Sequence, residues 1–433
     1  GIRDRYNGNI AETEWRTANT DNALKWYRYG YDALNRITSA TDITGKYNVS
    51  GIGYDKNGNI MSLKREGCTV ANPSLANNTG LGTMDDLTYS YDNGNKLMRV
   101  ADSGSDAFGF VDDAVNTTDT TDDYTYDTNG NMTSDTNKGI TGITYNHLNL
   151  PTEIVTTQGN ISYVYDAVGT KLEKTAAGSV TSYDGNYIYQ NGTLQFFSQP
   201  EGYVTPDGMG GYDYVYQYTD HLGNVRLSYQ DIDKDGSVDG SEILQERNYY
   251  PFGLEHQGYN GNIQGVENTY MTYNGKEWNE SLGLNFYEMD MRQYDPAIAR
   301  WTSMDPVAHF EYSTYSAFDN NPIYWADPSG ADSWTYIGDG MYRNNQTNEQ
   351  TDDYQRAISE TQSHFGESPQ DIIKVDTKNK RVDIIKTDDD FDTVSIDGQE
   401  SYRAEKGVTE EIFAGMDYSI WRPEGAGHMF LDF

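Results

Sequence analysis

Twelve consecutive residues, Asp231-Ile232-Asp233-Lys234-Asp235-Gly236-Ser237-Val238-Asp239-Gly240-Ser241-Glu242, place acids at loop positions 1, 3, 5 and 9, glycine at 6, an apolar residue at 8 and glutamate at 12. This is the spacing of an EF-hand calcium loop. Hard oxygen donors from Asp231, Asp233 and Asp235, the Ser237 carbonyl, Asp239 directly or through water, and a bidentate Glu242 suit Ca2+. The expected role is structural, the ordering of a hairpin tip. An acidic surface turn is the competing reading, because residues 225–229 and 244–250 on either side read as strands and not as helices. The six histidines show no Cys/His spacing for zinc, and neither a glycine-rich phosphate loop nor a serine nucleophile elbow occurs. His428, flanked by glycines near the end of the chain, has the surroundings of a general base, although a lone histidine is more often structural.

The elements that would hold such a loop are written in a repeat. Tyr31-Asp32, Tyr54-Asp55, Tyr91-Asp92, Tyr126-Asp127, Tyr145-Asn146, Tyr165-Asp166 and Tyr183-Asp184 are each followed by a turn and then by an apolar residue, and three of them read Tyr-Asp-x-Asn-Gly-Asn or Tyr-Asp-Asn-Gly-Asn. The tyrosines are spaced by 23, 37, 35, 19, 20 and 18 residues. The two long steps suggest insertions, at 69–86 and 102–123. Asn-Gly supplies the positive-φ positions of a tight hairpin turn, and the flanking residues alternate as strands do, so each repeat predicts one β-hairpin. A hairpin is marginal alone, and successive hairpins must stack into a long sheet.

Composition agrees with this reading. The chain has 433 residues and a net charge of −36, which disfavours a nucleic-acid-binding surface. Aromatic residues reach 13%, with 37 tyrosines, the large half-buried side chains that pleated sheets use. The single cysteine, Cys68, excludes an intramolecular disulfide framework, and no apolar run is long enough to span a bilayer as a helix. Gly1 to Tyr6 contain neither an initiator Met nor an apolar signal core, so the chain is expected to be a fragment or processed product that has lost its targeting segment and further N-terminal repeats.

The Tyr-Asp-x-x-Gly-Asn pattern resembles the YD repeat of Rhs proteins, teneurins and the C components of insecticidal toxin complexes, over roughly residues 6–332. A second series is similar to the Rhs-repeat-associated core domain. It runs through Asp220-His221-Leu222-Gly223-Asn224, Tyr250-Pro251-Phe252-Gly253, Gly283-Leu284-Asn285-Phe286-Tyr287, Arg292-Gln293-Tyr294-Asp295-Pro296, Ser303-Met304-Asp305-Pro306 and Trp325-Ala326-Asp327-Pro328-Ser329-Gly330. The resemblance implies an all-β protein of stacked antiparallel β-hairpins winding into a β-shell or cocoon, with a small α+β C-terminal region. It divides the chain into repeats (1–217), core domain with the calcium loop (218–331) and a variable effector or linker region (332–433) that is expected to be incomplete. In that last region residues 352–365 predict a helix and 372–385 a hairpin.

Family proteins cut their own chain just beyond the Asp-Pro-x-Gly motif, which assigns Arg292, Asp305 and Asp327 here as the catalytic group and Ala331–Asp332 as the scissile bond. Two carboxylates held close cannot both ionise cheaply, so one can keep its proton as an acid while the other serves as a base, with arginine holding one ionised or polarising the carbonyl. Ala331 departs from the large apolar residue usual at that position. The implied function is a secreted or externally delivered polymorphic-toxin carrier that encapsulates its own C-terminal effector and releases it by aspartyl-type autoproteolysis. Its implied partners are that effector, a secretion apparatus and an immunity protein, with no nucleic-acid contact by the shell and no membrane span. The alternative is a non-cleaving extracellular YD-repeat protein of adhesion or structure.

Overall fold

In the computed structural model the described residues are 9–17, 22–71, 73, 79–113, 121–257, 268–306 and 313–331, followed by short strand segments between 334 and 405. The chain divides into two units, at Tyr336/Ile337. The first unit is a meander of antiparallel strands. Seven form one sheet: β1 (Glu12–Trp15), β2 (Lys25–Tyr31), β3 (Ile37–Asp42), β4 (Val49–Tyr54), β5 (Ile60–Cys68), β6 (Leu81–Tyr91) and β7 (Leu97–Asp102). Thirteen form the next. They are β8 (Tyr124–Tyr126), β9 (Met132–Asp135), β10 (Ile140–Tyr145), β11 (Pro151–Thr156), β12 (Gly159–Tyr165), β13 (Lys171–Ala176) and β14 (Ser179–Asp184). The same sheet continues through β15 (Tyr187–Gln190), β16 (Thr193–Gln199), β17 (Gly202–Pro206), β18 (Tyr212–Thr219), β19 (Val225–Tyr229) and β20 (Ile243–Glu246). Every neighbour in these sheets is also the neighbour in sequence, as stacked hairpins require. The boundary expected at 217/218 falls inside β18.

The repeat is built differently from a two-residue Asn-Gly hairpin. One carboxylate oxygen of Asp55 accepts the N–H of Asn57 (2.8 Å) and of Asn59 (2.9 Å). Asp92 does the same for Gly94 and Lys96, Asp127 for Asn129 and Asn131, and Asp166 for Val168 and Thr170. Positive φ falls at the fourth turn position, Gly58 at 81° and Gly130 at 83°, with Asn35 (64°) and Asn149 (60°) there in other repeats, while the turn at Asp92 takes none. The extra residue appears as a register shift beside Tyr54, Tyr91 and Tyr126, whereas at Tyr183 the register is regular and Asp184 pairs with Tyr187 across a two-residue turn. Asp207 and Asp220 make identical turns without a preceding tyrosine.

Five of the seven tyrosines then tie their repeat to the chain before it, whereas the Tyr183 hydroxyl donates to Glu277. The hydroxyls of Tyr31, Tyr54, Tyr91, Tyr145 and Tyr165 donate to the carbonyls of Ile10, Ile37, Ile60, Met132 and Pro151, at 2.6–3.1 Å. Ile37, Ile60, Met132 and Pro151 each sit just past the preceding turn. The segment 69–86 is not wholly an insertion, because Leu81 to Asp86 belong to β6 and pair with β5.

The segment that follows adds β21 (Glu277–Asn279), β22 (Phe286–Glu288), β23 (Gln293–Asp295), β24 (Arg300–Trp301) and β25 (Trp325–Ala326). Its side chains join both large sheets in one buried apolar cluster that includes Tyr29, Leu63, Tyr89, Ile154, Phe286, Tyr294 and Trp301. Buried charge pins it on both sides. Arg65 pairs with Asp85 at 2.6 Å and donates to the Pro296 carbonyl, while Lys171 and Lys174 reach Glu277 and Glu288. In the second unit three antiparallel pairs are described, Ile372–Asp376 with Arg381–Ile385, Phe391–Ile396 with Gln399–Glu405, and Met341–Asn344 with Gln350–Thr351. The expected hairpin at 372–385 is the first of these; the expected helix at 352–365 and His428 lie outside the described residues.

Removing a single buried tyrosine hydroxyl tests the tie between repeats. Tyr145→Phe deletes the 2.6 Å bond to Met132 and is expected to cost about 1 kcal/mol in urea unfolding. Tyr214→Phe, on an exposed tyrosine, is expected to stay within about 0.5 kcal/mol of the parent.

Candidate functional site

Arg292, Asp305 and Asp327 converge. Arg292 follows a turn after β22 whose Met289 N–H donates to the Arg292 carbonyl, and Met291 N–H donates to the Ser329 carbonyl at 2.9 Å, so the arginine lies beside the Asp327–Gly330 turn that leaves β25. Its guanidinium stacks on the Trp301 ring, with 4.2 Å from Cζ to the ring centre. One nitrogen, Nη2, serves both carboxylates, at 2.7 Å to Asp305 Oδ2 and 3.2 Å to Asp327 Oδ2. Nε donates to the Gly330 carbonyl, and Nη1 to that of Thr314 at 3.4 Å. All three side chains are largely removed from water, at 1%, 9% and 4% exposure.

Asp327 faces the expected cleavage region directly. Its Oδ1 accepts the N–H of Gly330 (2.8 Å), the N–H of Ala331 (3.0 Å) and the hydroxyl of Ser329 (3.1 Å). Burial lifts its pKa to about 7; Arg292 opposes the rise and the neighbouring Asp305 charge adds to it. Gly330 has φ 77°, and a Cβ there would stand 3.2 Å from the Arg292 backbone nitrogen. Glycine is therefore what lets the chain pass close enough for the guanidinium to reach its carbonyl. Ala331 is fully buried, and Asp332 lies outside the described residues. Among the described residues the Gly330–Ala331 bond has both its oxygen and its nitrogen in the grip of the site.

The group can present a proton donor at a backbone nitrogen, a cation at a backbone carbonyl and a second carboxylate 2.7 Å from that cation. Sequence reasoning named all three residues but missed Thr314, Trp301 and Ser329, which hold them. A serine two residues after Asp327 was a visible capping signal; the other two contacts are long-range.

The acidic loop joins β19 to β20, a hairpin tip as expected. Ligand oxygens of Asp231, Asp233 and Asp235 lie within 4.8 Å of one another. The remaining acids hold the loop itself: Glu242 accepts the N–H of Ile232 (2.7 Å) and Asp239 (3.0 Å), and Asp239 caps a 3₁₀ turn by accepting the Ser241 N–H. The all-oxygen donor set fits a hard divalent cation, with three acids gathered and Asp239 and Glu242 engaged with backbone.

No protein-family model matches the chain. It is 24% identical over 330 residues to the tRNA3(Ser)-specific nuclease WapA of Bacillus spizizenii, covering 72% of this chain and 12% of that protein. The tRNA nuclease WapA of Bacillus subtilis matches at the same identity and coverage. The chain thus spans about an eighth of the length of these relatives. Salivary gland surface protein 1 of Aedes aegypti is 29% identical over 118 residues, 27% of this chain and 3% of that protein. The crystal structure of TcdB2-TccC3-Cdc42 aligns with a TM-score of 0.49 at 18% identity, over 74% of this chain and 18% of that one.

Burial raises Asp135, like Asp327, to about 7, far above the carboxylate value of about 4 in an unfolded chain. Between pH 5 and 7 the folded state therefore binds more protons than the unfolded state, and stability rises as pH falls. His256, held neutral by burial, opposes this below pH 6.5. Glu288, depressed to about 2 by its lysines against its own burial, is ionised in both states across the window. Urea unfolding is expected to show a protein more stable at pH 5.5 than at 7.5, on the order of 1–3 kcal/mol, with the gain reduced in Asp135→Asn.

Proposed function

We propose that this chain is the closing part of a polymorphic-toxin carrier, delivered outside the producing cell, which releases a C-terminal effector by hydrolysing its own backbone beside Ala331. The observation that carries the reading is one guanidinium shared by two buried carboxylates, with Asp327 on the Ala331 nitrogen and Arg292 on the Gly330 carbonyl. The curated relatives named as tRNA nucleases support a carrier of a toxic activity. Among the described residues no helix is long and apolar enough to cross a membrane.

In the proposed reaction Asp305, ion-paired with Arg292, takes a proton from an attacking water. The hydroxide oxygen bonds to the carbonyl carbon, Arg292 stabilises the negative oxygen that forms, and Asp327 gives its proton to the departing nitrogen as the C–N bond breaks. One water is consumed, and a carboxyl and an amine result. An acid with a pKa of about 7 is suited to this near neutrality. Asp305→Asn and Asp327→Asn are each expected to slow cutting by about 10³-fold or more, and Arg292→Lys by roughly 100-fold through loss of the planar fork. Mass spectrometry of the purified chain reads the outcome: the parent should yield a fragment starting at Asp332 or, if the better-held bond is cut, at Ala331. A parent that stays whole would indicate the non-cleaving alternative.

The loop 231–242 is proposed to bind one Ca2+ through Asp231, Asp233, Asp235, the Ser237 carbonyl and Glu242, with Asp239 direct or through water, and so to fix the β19–β20 tip. Calorimetry should show one site. Asp233→Asn, at an exposed position, should weaken it at least about tenfold without unfolding the sheet. Absence of binding heat in the parent rejects the site.

A further inference from the structure

Asp305 reaches Arg292 from a different piece of chain than Asp327 does. Its segment leaves β24 and returns at Tyr315, closed by Trp301 N–H on the Tyr315 carbonyl (3.3 Å) and Asp305 N–H on the Thr314 carbonyl (2.8 Å). One flank of this segment rests on the arginine's own neighbourhood, with Thr302 N–H on the Gln293 carbonyl at 3.0 Å. The other flank rests on a repeat turn. The Tyr315 hydroxyl donates to the Gly130 carbonyl at 2.6 Å, its ring meets Tyr126 edge-on at 5.9 Å, and Met132 N–H donates to the Thr302 carbonyl at 3.0 Å. Met304 covers Gly130 so closely that a Cβ on the glycine would overlap its sulfur and stand 2.7 Å from the Tyr315 oxygen.

We propose that the turn at 127–131, acting through Tyr315 and Met304, positions Asp305 on Arg292, so that self-cleavage waits until this repeat is folded and docked. The inference rests on the self-cleavage reading. Arg292 and Asp327 are held together by the backbone contact of Met291 with Ser329, which asks nothing of the repeats. Asp305 is carried instead by the segment that packs on the repeat turn. Its register depends on Thr314, which also meets Arg292, and Thr314 adjoins the tyrosine that is bonded to Gly130. The repeat turn supplies an acceptor and a glycine-sized gap, and the segment supplies a hydroxyl and a flexible thioether to fill it. Tyr315 and Met304 are positioning residues that touch neither the scissile bond nor the guanidinium fork.

The test follows the cut fraction over time during cell-free translation of the full chain, between pH 5.5 and 8.5. Tyr315→Phe keeps the ring and removes the hydroxyl; it should slow cutting roughly 10- to 100-fold, as small misplacements of a catalytic group do. Its alkaline limb should also move to lower pH. Asp327 must be protonated to act, and a displaced Asp305 withdraws one of the causes that raise it. Tyr165→Phe loses an equivalent hydroxyl bond, to Pro151, at a repeat whose turn closes on its own Asp166, and should cut at the parental rate. Parental cutting with Tyr315→Phe unchanged in rate and pH limb overturns this inference alone, as does equal slowing of Tyr315→Phe and Tyr165→Phe, which would signal general destabilisation. A parent that never cuts overturns the self-cleavage reading and this inference with it.

Discussion

A hairpin end exposes backbone N–H groups that no neighbouring strand can take, and how this chain satisfies them governs the rest of the structure. At each turn one aspartate or asparagine oxygen accepts two of those N–H groups, leaving the carbonyls facing outward along the edge of the sheet. The next repeat's tyrosine takes the carbonyl just past the turn. The core segment takes others: Ser313 N–H donates to Asn57, Asn320 to Gly58, Tyr315 to Gly130, Asn321 to the side chain of Asn9 and Arg300 to Asn95. These acceptors thus become the rail on which the described residues of this segment, 300–306 and 313–321, lie. Because Asp305 is carried by that segment, the geometry of the candidate site descends from the spacing of the turns.

The attachment is polar where an apolar one would have been simpler. Arg65 and Asp85 are both fully buried, and Lys174, Glu277 and Glu288 nearly so. Burying ions costs several kcal/mol each before pairing restores it, so such pairs add little net stability. What they add is register. The guanidinium of Arg65 reaches two consecutive carbonyls, at Pro296 and Ala297, and a slip by one residue would strand a buried cation. Lys171 and Lys174 do the same between β13 and the pair Glu277 and Glu288, which stand opposite each other on β21 and β22. Leucines in their place would tolerate a shift. The position of Arg292 is inherited from this register, four residues beyond Glu288 and one before β23.

How much of this could be read from the chain follows from the range of each interaction. The turns were legible because the acceptor and its donors lie two and four residues apart, within one motif. The turns at Asp207 and Asp220 escaped because the pattern was keyed to tyrosine, whereas the aspartate makes the turn and the tyrosine makes the tie. Asn35 and Asn149 take the left-handed position usually given to glycine, so an Asn-Gly search undercounts. Residues 81–86 looked like part of an insertion because the core position at 85 holds an aspartate, and its apolar alternation is visible only once Arg65 is seen across β5. The meeting of Arg292, Asp305 and Asp327 came from resemblance, since nothing local brings residues thirteen and thirty-five apart to one nitrogen. The clamp of Tyr315 on Gly130 spans 185 residues and had no local signal at all.

Asp327 shows why the site tolerates little rearrangement. Three donors on one oxygen and an arginine on the other would ordinarily hold a carboxyl well below its usual range. Its pKa instead rises to about 7, because burial and the nearby Asp305 charge outweigh them. The donors that compete with burial include the N–H of Ala331, which belongs to the Gly330–Ala331 peptide, and the arginine that opposes the rise also holds that peptide's carbonyl. Acid strength and substrate position are therefore one variable here. Drawing the chain away from Asp327 would remove the donors that lower its pKa and the bond it would protonate in the same movement. A side chain at position 330 would do so by contact with the Arg292 backbone, without touching either carboxylate.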